Sequence, residues 1–126
     1  MNNLQKALRN NALFSIISGV LMIVLNRQLA SLFGTSNNTI FWSIGLVLLY
    51  FAITIWLEIK KQRRTAIIWI IIQDYAWVLG SSIILITKPF QITSTGNLII
   101  GIIALIVLFM GIHQTIELKK FKNKTE

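Results

Sequence analysis

The chain has 126 residues, of which 55% are hydrophobic and 13% charged, with a mean hydropathy of +0.71. One compact domain fits that length, and a water-soluble one is excluded because so few charges cannot cover so much apolar surface. Twelve Lys or Arg stand against four Asp or Glu, giving a net charge of +8, and the lack of cysteine removes disulfides, thiolate catalysis and cysteine-held metal.

Apolar stretches recur at about 11–26, 39–57, 66–87 and 98–116. Long unbroken runs require helices, whose backbone polar groups are satisfied internally, and about 20 residues cross about 30 Å of hydrocarbon. The expected fold class is all-α integral membrane. One transmembrane domain over residues 1–126 forms an up-down-up-down four-helix bundle.

The first run holds only fourteen apolar residues, Ala12 to Leu25, which puts Asn10, Asn11 and Asn26 near its ends. Its basic start resembles a signal peptide, but no small-x-small site follows, so an uncleaved span is expected. Beyond it, "LASLF" reads as an amphipathic piece in the outer interface; the other reading carries the helix past Arg27 to Phe33. Ser15 and Gly19 form a small-xxx-small pair suited to close helix contact.

The second run carries Trp42 and Trp56 near its two ends, where indole rings anchor at headgroup depth. "EIKKQRR" (58–64) then leads to the third run, which opens on Trp69. Lys6 and Arg9, this loop and "ELKKFKNKTE" (117–126) hold ten of the twelve basic residues on one side. Only Arg27 and Lys88 are left for the other. The positive-inside rule places both termini and the middle loop in the cytoplasm. The basic clusters therefore face anionic membrane lipids rather than nucleic acid, for which there is no reading surface.

The third run contains Asp74, flanked by Gln73, Tyr75 and Trp77. A carboxylate at that depth must face protein or water, not lipid. Counted from the cytoplasmic edge it lies about nine residues in, or ~13 Å. His113 and Gln114 on the fourth run lie only ~4 Å deep by the same count, and Arg27 reaches inward only if the first helix continues past it. None matches Asp74 in depth. Two readings stay open: a structural polar contact, with Ser81 or backbone groups as partners, and a site for an ion, proton or ligand. Tyr75 and Trp77 fill the bundle or line an apolar pocket. Ala76 and Gly80 form a second small-xxx-small pair, and Gly101, Ala104 and Gly111 a small face on the fourth run.

The outward links are "GTSNN" (34–38) and "KPFQITSTGN" (88–97), with Asn37, Asn38, Pro89 and Gly96 as turn residues and Phe90 as an interfacial aromatic. His113, the one histidine, reads as a hydrogen-bonding residue at a helix end. Glu58 and Glu117 read as solvated neighbours of lysines. No HExxH, GxSxG, phosphate loop or carboxylate pair is present, so no catalytic residue, metal or cofactor is assigned.

Asp74, Trp77, Val78, Gly80 and Ser81, followed by Pro89, Thr93 or Ser94, and Gly96, resemble the second half of a group of small four-span bacterial membrane proteins. The chain also resembles the DoxX-like four-helix membrane proteins. The resemblance implies a multi-pass protein of the bacterial inner membrane in which Asp74 and Trp77 share a site, and it assigns no activity.

Three functions fit these residues. The first is a non-catalytic accessory protein that holds a lipophilic molecule or a partner membrane protein near Asp74, Tyr75 and Trp77. The second is an oligomeric small transporter or channel subunit using Asp74, self-association supplying the path. The third is a membrane enzyme using Asp74 and His113, which needs the two at one depth.

Overall fold

The computed structural model describes residues 2–87 and 92–125, with side chains as far as Lys120. Five helices follow one another: α1 (Asn3–Val24), α2 (Asn26–Phe33), α3 (Thr39–Lys61), α4 (Arg64–Thr87) and α5 (Ser94–Thr125). All but α2 are long and apolar enough to cross a membrane. No strand occurs among the described residues. Pro89 and Phe90 lie outside them.

The first helix starts eight residues before the apolar run does. Asn2 and Gln5 form a reciprocal cap: Asn2 Oδ1 accepts from the Gln5 backbone N–H at 2.7 Å, and Gln5 Oε1 accepts from that of Asn2 at 3.0 Å. The cap also docks, because Gln5 Nε2 donates to the Ile59 carbonyl at 2.8 Å and Asn2 Nδ2 to Gln62 Oε1 at 2.8 Å. Asn11 therefore sits within the helix rather than at its end. At the other end Leu25 leaves helical geometry (φ −103°, ψ 24°), and Asn26 Nδ2 donates to the Ile23 carbonyl at 2.6 Å. The chain then turns into α2, a separate amphipathic helix, so the first helix does not run on through Arg27 to Phe33. Gly34, at φ 78°, ends α2 in the left-handed region where a Cβ is strained.

Two helix pairs organise the bundle. α1 packs along α3, and α4 packs along α5. A Cβ built on Gly19 would lie 2.8 Å from the Gly45 carbonyl oxygen, and one on Gly45 2.7 Å from that of Gly19. The two backbones touch there, as small residues permit. α1 also contacts α5 and joins the pairs, whereas α3 touches α4 only sparsely.

Just two residues, Gln62 and Arg63, separate α3 from α4. Gln62 takes a left-handed conformation (φ 48°) and donates its N–H to the Glu58 carbonyl at 2.8 Å. Glu58 is buried, not solvated: its carboxylate accepts from the Arg63 backbone N–H at 3.3 Å and pairs with the Arg63 guanidinium. Glu117 is buried too, beside Lys120 at 3.7 Å. The expectation of solvated pairs fails because the helices extend past the apolar runs and pack there.

The main core lies at this end. Leu4, Leu8 and Ala12 meet Ile55, Ile59, Ile67, Ile70, Ile71 and Leu118. One closed base thus gathers the start of α1, the α3–α4 connection and the later part of α5, and with them the basic segments. Toward the other end α3 and α4 diverge.

Candidate functional site

Asp74 is the eleventh of the 24 residues of α4, about 15 Å from its start. Asp74 is only 3% exposed, and both of its hydrogen-bond partners come from other helices. Asn11 Nδ2 on α1 donates to Asp74 Oδ2 at 2.8 Å, and Gln114 Nε2 on α5 donates to the same oxygen at 2.6 Å. Asn11 Nδ2 also reaches Gln114 Oε1 at 3.1 Å, and Gln114 Nε2 reaches its own Met110 carbonyl at 3.1 Å. Ser15 Oγ approaches Asn11 Oδ1 at 3.5 Å. The result is a buried Asn11–Asp74–Gln114 triad tying three helices, in which the carboxylate is met by amide donors. Such satisfaction is what burial of polar groups requires.

The expected depth mismatch between Asp74 and Gln114 is thereby corrected. α5 continues well beyond residue 116, so Gln114 lies inside the bundle, level with Asp74, rather than at a helix end. Asn11 was placed near a boundary because the apolar run starts late. Its signal was available in the spacing: Asn11, Ser15 and Gly19 fall four residues apart on one buried stripe.

Other candidates fall elsewhere. His113 is half-exposed and approaches Glu117 at 4.0 Å, with its ring beside Phe109; it does not join Asp74. Arg27 is on α2 and is not a partner of Asp74 either. Gln73 stands beside the triad without entering it. Tyr75 crosses to α5. Thr115 Oγ1 donates to the Gly111 carbonyl at 2.7 Å, so the 3.0 Å contact with Tyr75 Oη is one in which the tyrosine donates. Gly111 makes room for that ring, since a Cβ there would lie 3.2 Å from Tyr75 Cε1. Ser15, Gly19, Ala104 and Gly111 are buried at helix contacts, while Gly101 has only Leu85 within 4 Å of its missing Cβ.

Ala76 and Gly80, expected at a helix contact, are exposed, and a Cβ on Gly80 would meet nothing within 4 Å. They face a cavity of about 890 Å³ where α3 and α4 diverge. Ile40, Phe41 and Ile44 of α3 form one wall, and Ala76, Trp77, Gly80, Ser81 and Ile84 of α4 the other. Ile99, Ile100 and Ile103 of α5 and Met22 of α1 complete it, and Phe33 to Thr35 border its end. This volume falls in the range of small-molecule sites, and its lining is apolar apart from a few groups such as Ser81 and Thr35. Asp74 does not line it. Asp74 and Trp77, which the resemblance put in one site, occupy different compartments, one sealed and polar, one apolar.

Next to this cavity is a smaller polar recess of about 570 Å³, bounded by Arg27, Ala30, Ser31, Gly34, Thr35, Ser36 and Asn38. The two share Gly34 and Thr35. Among the described residues, no group of three or more His, Cys, Asp or Glu side chains is arranged to hold a metal.

No family model matches this chain, and neither a curated protein nor a solved structure does.

Proposed function

We propose that this is a non-catalytic four-span membrane protein that takes one lipid-like molecule into the cavity between α3 and the α4–α5 pair. Its spans run up-down-up-down, with both termini and the α3–α4 connection in the cytoplasm. The gathering of eight basic residues between Lys6 and Lys120 at the closed base supports that orientation. The resemblance of the Asp74–Ser81 stretch to small bacterial four-span proteins favours a bacterial cytoplasmic membrane.

The observation that carries the proposal is the division of the interior. Asp74 has its donors within the protein, which supports a structural role for it. Trp77 and Ser81 instead border an apolar space that packing leaves open. Neither a pore through Asp74 nor a reaction with His113 gains support from this arrangement.

Gly80 offers a direct test, because it borders the cavity and a Cβ built on it meets no atom within 4 Å. Native mass spectrometry from lipid nanodiscs should find one lipid retained by the wild type and lost in Gly80→Leu, with equal helicity and monodispersity. Equal lipid retention by the two proteins would refute the proposed site.

A further inference from the structure

We infer that the occupant is an anionic phospholipid, its phosphate held at Arg27 in the polar recess and an acyl chain running into the apolar cavity. This rests on the cavity reading above and adds the headgroup class.

The two spaces adjoin. Gly34 and Thr35 border both, so a molecule with a charged head and an apolar tail can lie over that common edge with its head in one and its tail in the other. Charge selects the head. Arg27 is the only basic side chain at this end of the bundle among the described residues, the others being grouped at the base. Among the described residues no Asp or Glu lies near it, since Glu58 and Glu117 are at the base and Asp74 is buried in the triad. Its guanidinium has no counter-charge among them, and it shares the recess with the hydroxyl residues Ser31, Thr35 and Ser36. An arginine fork with hydroxyl donors suits phosphate oxygens.

The recess is held in place. Asn38 Nδ2 donates to Asn26 Oδ1 at 2.6 Å, fixing the start of α3 to that of α2. Across the mouth, Thr93 bonds the Leu32 carbonyl and its N–H reaches that of Phe33 at 3.4 Å. Phe33 packs on Gly96 and meets the edge of Phe41 with ring centroids 5.1 Å apart. α2 is thus a collar joining the entrances of the two spaces, placed where a headgroup meets its tail.

The test is competition in detergent micelles, read by native mass spectrometry, between phosphatidylglycerol and phosphatidylcholine of identical acyl chains, with inorganic phosphate as a third arm. Wild type should favour the anionic lipid about tenfold, the scale of one charge-assisted contact. Arg27→Gln should bind the two lipids about equally, losing more affinity for phosphatidylglycerol than for phosphatidylcholine, whose choline cation already offsets its phosphate. Equal binding by wild type, or an undiminished preference in Arg27→Gln, would overturn the headgroup assignment and leave the cavity reading standing. Displacement of the lipid by micromolar inorganic phosphate would overturn the lipid as the source of the phosphate. Gly80→Leu should lose both lipids; if it keeps them, the cavity reading itself fails.

Discussion

Replacing Asp74 by alanine removes the acceptor on which α1 and α5 converge, and the structure sets how much that should cost. Two bonds disappear, from Asn11 at 2.8 Å and Gln114 at 2.6 Å. Neither donor is orphaned, because Asn11 retains Gln114 Oε1 and Gln114 retains the Met110 carbonyl. The full penalty of an unsatisfied buried group is therefore not incurred. Interhelical hydrogen bonds within membranes average about 0.6 kcal/mol and reach about 1.7 kcal/mol. Two of them give a loss of roughly 1–3 kcal/mol for Asp74→Ala on that scale. A cycle with Gln114→Ala isolates one bond and should return a coupling of about 0.6–1.7 kcal/mol. The measurement is equilibrium unfolding in mixed micelles, followed by helical circular dichroism. Gln73→Ala, next to the triad but outside it, is the control and should shift stability by less than about 0.5 kcal/mol. Wild-type stability in Asp74→Ala, or a coupling below about 0.3 kcal/mol, would show that the triad does not hold the three helices together.

Two further outcomes follow from the packing. Gly19→Ala and Gly45→Ala each push a methyl against backbone oxygen and should destabilise by about 1–3 kcal/mol; Gly80→Ala should be neutral or stabilising by up to about 1 kcal/mol through helix propensity, all read in the same unfolding assay. Because the chain has no cysteine, single cysteines at Ser36 and at Gln62 report topology directly. An impermeant maleimide added to intact cells should label the first and spare the second, and labelling of both from one side would reject the four-span arrangement.

Hydropathy made the long helices legible, since four apolar runs have no stable alternative to helix in lipid. Helix ends were less legible. α1 and α5 continue through polar sequence, Asn3 to Asn11 and Gln114 to Lys120, that hydropathy assigns to water but capping of α1 and packing of both keep helical. That error hid the triad, because it set Asn11 and Gln114 at a surface and Asp74 alone in the interior. The small residues misled for another reason. Ser15–Gly19 and Ala76–Gly80 carry the same pattern, and nothing local distinguishes a pair that meets a helix from one that meets a void. The difference lies in the partner: Gly45 on α3 faces Gly19 at backbone contact, so α3 is held against α1 and turned away from Gly80.

The same competition explains why the cavity exists. The two-residue connection brings α3 and α4 together at the base, where Glu58 and Arg63 lock the turn. Above it each helix has a stronger commitment elsewhere, α3 to α1 through the glycine contact and α4 to α5 through the triad and the Tyr75–Thr115 bond. In water the exposed apolar walls would draw the gap closed. In a bilayer that drive is absent, since lipid tails solvate isoleucine as well as another helix does. Opening the gap would cost little there, and an acyl chain is the filling we propose. An apolar cleft alone would exchange lipids without discrimination. In the proposed reading, the collar formed by α2, with Arg27 beside the opening, is the feature by which this cleft would select one lipid class over another.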